Sequence, residues 1–160
     1  MNKKLLKQIF LCAAAVLFAA VAASYASPVA AFMGTWQLNT AKSKLAAGGG
    51  QNTTVAYTMS GGDITCTIDG TDASGQTLHS VWTGKFDGKD YPVTGDPISN
   101  SRSYRVVSSH VIVATEKKDG KVVDHARIVV SADGKTRTVT VRGIGANGKR
   151  TVSVAVYDKQ

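Results

Sequence analysis

Four short segments of the chain pair a turn-forming dipeptide with a lysine: Asp87-Gly88-Lys89, Asp119-Gly120-Lys121, Asp133-Gly134-Lys135 and, with Asn for Asp, Asn147-Gly148-Lys149. Asp-Gly and Asn-Gly most readily accept the two positive φ angles of a type I′ turn, whose twist matches the strands it joins. The last three begin at 119, 133 and 147, a spacing that leaves room for long antiparallel strands and none for helices between them. The chain therefore reads as a series of hairpins.

From Gly34 onward, alternating runs rich in Val, Ile, Thr and Tyr are bounded by Gly, Asp and Asn, which predicts ten strands: 34–39, 53–60, 64–69, 77–86, 89–93, 101–108, 110–117, 121–131, 136–144 and 150–158. Residues 40–52 form a connection ending in glycines, with one helical turn over 41–47, and Pro92 restricts the short fifth strand on its nitrogen side. The fold class is all-β. An open sheet of ten antiparallel strands exposes two edges, and closure of the up-and-down meander into a barrel of about eight to ten strands removes them. A two-sheet sandwich is the alternative, although its crossing connections are longer than the chain offers after residue 101. Thr138, Thr140 and Arg142 make one strand face polar throughout, which argues against a membrane-spanning barrel and for a soluble one.

Residues 1–26 read as an export signal: Lys3, Lys4 and Lys7, the apolar run 9–23, then small residues around Ser24-Tyr25-Ala26. The apolar run is shorter than the roughly 20 residues that span a bilayer, so cleavage after Ala26 is expected, with Ala30 as the alternative. That leaves a single domain over 27–160, periplasmic or secreted, with no integral membrane segment. Removal of the three lysines lowers the net charge from +8 to +5. The remaining lysines sit mostly in turns and are not interleaved with aromatics, so nucleic acid is not an expected partner. Cys66 is then the one remaining cysteine; alternating with Ile64 and Ile68, it reads as a small buried apolar residue. No pattern in the sequence points to a particular oligomeric state.

The domain opens with Phe32-Met33-Gly34-Thr35-Trp36-Gln37-Leu38 and closes with Val154-Ala155-Val156-Tyr157-Asp158-Lys159. The Gly-x-Trp on a first strand resembles the opening of lipocalins and fatty-acid-binding proteins, the calycin barrels, and the ending is similar to the last strand of the fatty-acid-binding branch. The resemblance implies a lipocalin-like barrel in which Trp36 plugs one end under a basic side chain from a late strand, here Arg150 or Arg142. The physics of the plug stands without the family: a first-strand Trp fills a barrel end, and Gly34 admits another backbone. The chain departs from the family in two places. Residues 40–52 are too short for its helix-pair portal, and Ala155 stands where the fatty-acid-binding branch places an Arg two residues before the Tyr that is Tyr157 here.

On the last strand, Val152, Val154 and Val156 alternate with Tyr157, so only one set can face inward. Burial of each Val is worth about 1.5 kcal/mol or more, which predicts valines inward and Tyr157 outward. Among polar residues, the candidate ligand-binding set is Arg102 and Tyr104 on one face of one strand, with Trp82 and His79 on another and Arg127 on a third. The alternative places the arginines, Arg105 included, on the outer surface as solubilising charges. Glu116, beside Lys117, reads as a solvated partner of a cation. His79, His110 and His125 lack spaced partners, so neither a metal nor a cofactor is expected. The resulting expectation is a non-catalytic exported barrel that binds a small hydrophobic or anionic amphipathic ligand. The alternative is a filled barrel serving as a structural or protein-interaction module at the cell envelope. An enzyme using His79 or His125 is a third reading.

Overall fold

The structure, a computed structural model, describes residues 27–144, 148 and 150–160; the segment 1–26 expected to be an export signal, and Asn147 and Lys149 of the fourth turn, lie outside the described residues. Alternating Val, Ile and Thr runs form ten strands: β1 Gly34–Leu38, β2 Gln51–Ser60, β3 Asp63–Thr71, β4 Thr77–Gly84, β5 Tyr91–Thr94, β6 Ser101–Ser108, β7 Val111–Lys118, β8 Lys121–Val130, β9 Thr136–Ile144 and β10 Arg150–Lys159. Each pairs antiparallel with the next, and β1 pairs with β10, so the meander closes into a ten-stranded barrel rather than a two-sheet sandwich. Between β1 and β2 the only helical element is the 3₁₀ turn Thr40–Lys42. Among the described residues, no helix is long and apolar enough to cross a membrane.

The repeated turns are not all alike. Asp119 (φ +51°) and Gly120 (φ +77°) both adopt positive φ and join β7 to β8 as a type I′ turn expects. At Asp133-Gly134 only the glycine is left-handed, because Gly134 N–H closes a turn onto Ser131 O (2.9 Å) while the Asp133 carboxylate accepts from Lys135 N–H (3.0 Å). Asp87-Gly88 closes no hairpin: Asp87 bridges Arg105 of β6, and β5 begins only at Tyr91.

Inward-facing residues of all ten strands form one core. At one end the 3₁₀ turn Ala30–Phe32 inserts Phe32 beneath Trp36, whose indole Nε1 donates to Phe32 O (2.9 Å). Phe86 lies among Phe32, Tyr57, Trp82 and Tyr104, with ring centroids 5.0 to 6.3 Å apart. Trp36 and Trp82 are fully buried, as is Cys66.

Three expectations about β10 and the plug are corrected. Tyr157 is 3% exposed and faces in, whereas Val152 is 57% exposed, and Val154 and Val156 are only half-buried. The cause lies on β1: Trp36 pairs with Lys159 and Leu38 with Tyr157, so burying Trp36 fixes the parity of the whole last strand. A Trp side chain buries about 150–250 Å², far more than any one valine. The segment after β1 continues along β10 through Asn39 N–H to Val156 O (2.8 Å) and the Lys44–Val154 bridge. The cation over Trp36 is Lys159, its Nζ 5.0 Å from the ring centroid, rather than Arg142 or Arg150. Gly34 (φ +102°) makes room for that same lysine side chain, not for another backbone: a Cβ there would stand 3.2 Å from Lys159 Cε.

Candidate functional site

Alternation on β6 turns Arg102 and Tyr104 inward together, each 3% exposed. The Arg102 guanidinium is held by carboxylates: Nη2 donates to Asp96 Oδ2 (3.0 Å), and Nε lies 2.7 Å from Glu116 Oε1, close in distance though off the N–H direction. Glu116 is thus a nearly buried ion-pair partner, not the solvated residue expected from its neighbour Lys117. It pairs in register with Asp124 on β8. Burial, and next the Glu116 charge, push the Asp124 carboxyl up to about 7.

A second buried arginine has a different environment. Arg137 on β9 is 4% exposed and stacks on Tyr57 (5.2 Å) and Tyr157 (5.0 Å). Its Nη2 donates to Tyr57 Oη at 3.4 Å, while Nε and Nη1 have no partner among the described residues. Tyr57 Oη donates in turn toward Tyr104 Oη (3.5 Å), which also accepts from Arg102 Nη1 (3.4 Å). A continuous polar chain therefore crosses the apolar interior from Arg137 to Asp96. Burial holds both phenols well above their usual range, so they remain neutral.

Of the predicted ligand-binding residues, the structure brings together Trp82, Arg102 and Tyr104: the Trp82 and Tyr104 rings lie 4.7 Å apart, and Trp82 Nε1 donates to Arg102 O (2.8 Å). His79 and Arg127 are not with them. His79 is exposed on the outer face with Nδ1 2.6 Å from Asp69, in the opposite strand phase from the buried Ser80 and Trp82, and Arg127 is exposed on β8. In the plug set, Gly34 and Trp36 stand together and Arg150 lies elsewhere, exposed at the start of β10. Sequence reading missed Tyr57, Arg137 and the inward Tyr157. The signal was present for Arg137, which alternates with Val139 and Val141 and so sits in the apolar phase of its strand.

Two grooves mark the outer face. One, of about 420 Å³, is lined by Arg105, Arg127, Arg142 and His125 with Ser103 and Thr115; the other, of about 310 Å³, is lined by Val122, Ile144, Val152 and Arg150 and shares His125 and Arg142 with the first. The chain matches no known family, no curated protein and no solved structure.

Proposed function

We propose that the protein is an exported, non-catalytic binding barrel that takes the head group of a small amphipathic anion, such as a carboxylate, at Arg137. The observation that carries this reading is a guanidinium with no carboxylate partner among the described residues: it is buried between two tyrosine rings, with two nitrogens lacking acceptors among those residues. Leaving such a cation without a counter-charge costs several kcal/mol, and an arriving carboxylate would supply charge-assisted hydrogen bonds. Arg102 is a poorer candidate because Asp96 and Glu116 already balance it. The next inward positions along β9 and β10 are Val139, Val141, Ala155 and Ser153, the last three half-buried, a small-residue lining suited to an apolar tail. The resemblance to fatty-acid-binding proteins supports the same chemistry in altered form: Ala155 removes the same-strand arginine, and Arg137 pairs with Tyr157 across strands instead. The sequence of residues 1–26 supports export.

The test is a titration of the full chain with dodecanoate and with dodecanol, followed by tryptophan fluorescence. Preference for the carboxylate, weakened about 10-fold or more in Arg137→Met while the fold is retained, is the expected result. Equal binding of acid and alcohol, or an unaltered Arg137→Met affinity, overturns it. The filled end around Trp36, Trp82 and Phe32 favours a second reading, an interaction module with a solid core; absence of any binding by the wild-type chain selects it.

A further inference from the structure

The outer face of β6–β10 carries an arrangement that interior binding does not use. One outward row runs across five strands in register, Ser103, Thr115, His125, Arg142 and Val152, and the next row carries Arg105, Val113 and Arg127. Arg105, Arg127 and Arg142 converge on the 420 Å³ groove, and none of them forms an ion pair among the described residues. The carboxylates of β7 and β8, Glu116 and Asp124, lie in the inward strand phase, Asp124 also lining the second groove, and the outward rows carry cationic side chains without an acidic one. Beside this groove lies the second one, and three of the four large apolar residues lining it are among the most exposed large hydrophobic side chains: Val122 at 50%, Ile144 at 62% and Val152 at 57%. His125 and Arg142 line both grooves, so cationic and apolar surfaces are continuous.

We infer that this face docks on an anionic phospholipid surface, with Arg105, Arg127 and Arg142 meeting lipid phosphates while Val122, Ile144 and Val152 enter the headgroup boundary. A soluble acidic partner would use the arginines but leave three bulky aliphatic side chains in water. A membrane interface engages both, since apolar burial and attraction to anionic lipid act together there. The net positive charge of the chain acts in the same direction. The site is separate from Arg137, which faces the interior, so interior binding and surface docking fail independently.

Co-sedimentation of the full chain with vesicles decides the matter, because residues 1–26 are common to every variant and cancel in the comparison. Vesicles of phosphatidylglycerol mixed with phosphatidylcholine are expected to retain the protein more strongly than phosphatidylcholine alone. The Arg127→Gln/Arg142→Gln double variant should lose about 30-fold in partitioning, roughly fivefold for each arginine at an anionic surface. Ile144→Ser/Val152→Ser should lose several-fold with the anionic preference kept. All four positions are solvent-facing, so circular dichroism should show the fold unchanged. Equal retention on both vesicle types, or indifference to the arginine variant, overturns the inference. Full displacement by free glycerol 3-phosphate together with indifference to the serine variant also overturns it, in favour of a site for a soluble phosphate ester.

Discussion

Arg102 and Arg137 are buried to nearly the same extent, yet removing them should have opposite consequences. Arg102 neutralises Asp96 and Glu116, and Arg102→Met leaves both carboxylates in the wall without their cation; a loss of about 3–5 kcal/mol is expected. Among the described residues Arg137 faces only π surfaces and one phenol, so Arg137→Met removes a charge uncompensated by them and replaces it with a side chain that fits between rings. Its unfolding free energy should equal or exceed that of the wild type, measured by urea denaturation without ligand. A large loss in Arg137→Met would mean that tyrosine stacking alone sustains the charge. Asp124 supplies a pH signature. Burial, then the Glu116 charge, raise its carboxyl from 3.8 to about 7, so between those values the folded state holds a proton that the unfolded state has released. Stability contributed by this group therefore falls as pH rises through that window. The wild type should be more stable at pH 5 than at pH 8 by on the order of 2 kcal/mol, after allowance for the partial exposure of the group. Asp124→Asn should flatten the difference; an unchanged pH profile would assign it to other groups.

At the level of single elements, the turns and the last strand show why some features were legible in the sequence and others were not. A two-residue turn depends on its own dipeptide, so Asp119-Gly120 was readable as type I′ and took that form. Asp133-Gly134 has the same letters but an additional acceptor at Ser131, and the side-chain bonds around Asp133 favour the longer turn. This distinction has a mutational consequence. Asp119→Val places a β-branched residue at φ +51° and should cost about 1–2 kcal/mol, whereas Asp119→Asn should be nearly neutral, as read from thermal midpoints. Similar losses from both substitutions would show that the carboxylate, rather than the backbone, holds the turn. The parity of β10 was misread because no local property sets it. Three valines outweigh one tyrosine within the strand, but the register with β1 ties Tyr157 to the burial of Trp36 more than a hundred residues earlier. Arg102 with Tyr104 was found because both lie in one strand phase; Arg137 with Tyr57 and Tyr157 was not, because its three members come from β9, β2 and β10.

For the barrel as a whole, closure distributes hydrogen bonds unevenly, and the weakest place can be named. Nine residue pairs join β9 to β10, whereas β5 contributes two pairs to β4 and two to β6, with Pro92 in one of them unable to donate. Side chains reinforce this seam from both faces. Inside, Trp82 spans it, its ring 5.8 Å from Tyr91 and its Nε1 bonded to Arg102 O; outside, Lys117 pairs with Asp90 at 2.6 Å. The seam thus depends on packing where the long strand pairs depend on their ladders, and its local stability should follow the side chain that crosses it. Hydrogen exchange should show the amides of Tyr91, Val93 and Thr94 opening well below the free energy of global unfolding, with those of β8 near it. Trp82→Phe keeps an aromatic ring but removes the donor to Arg102 O, and should speed exchange at β5 about 5- to 10-fold, the equivalent of one hydrogen bond of roughly 1 kcal/mol. Exchange within β8 should then change only as much as global stability does. Uniform acceleration around the barrel would mean that the wall opens as a single unit, with the seam no weaker than the long ladders beside it.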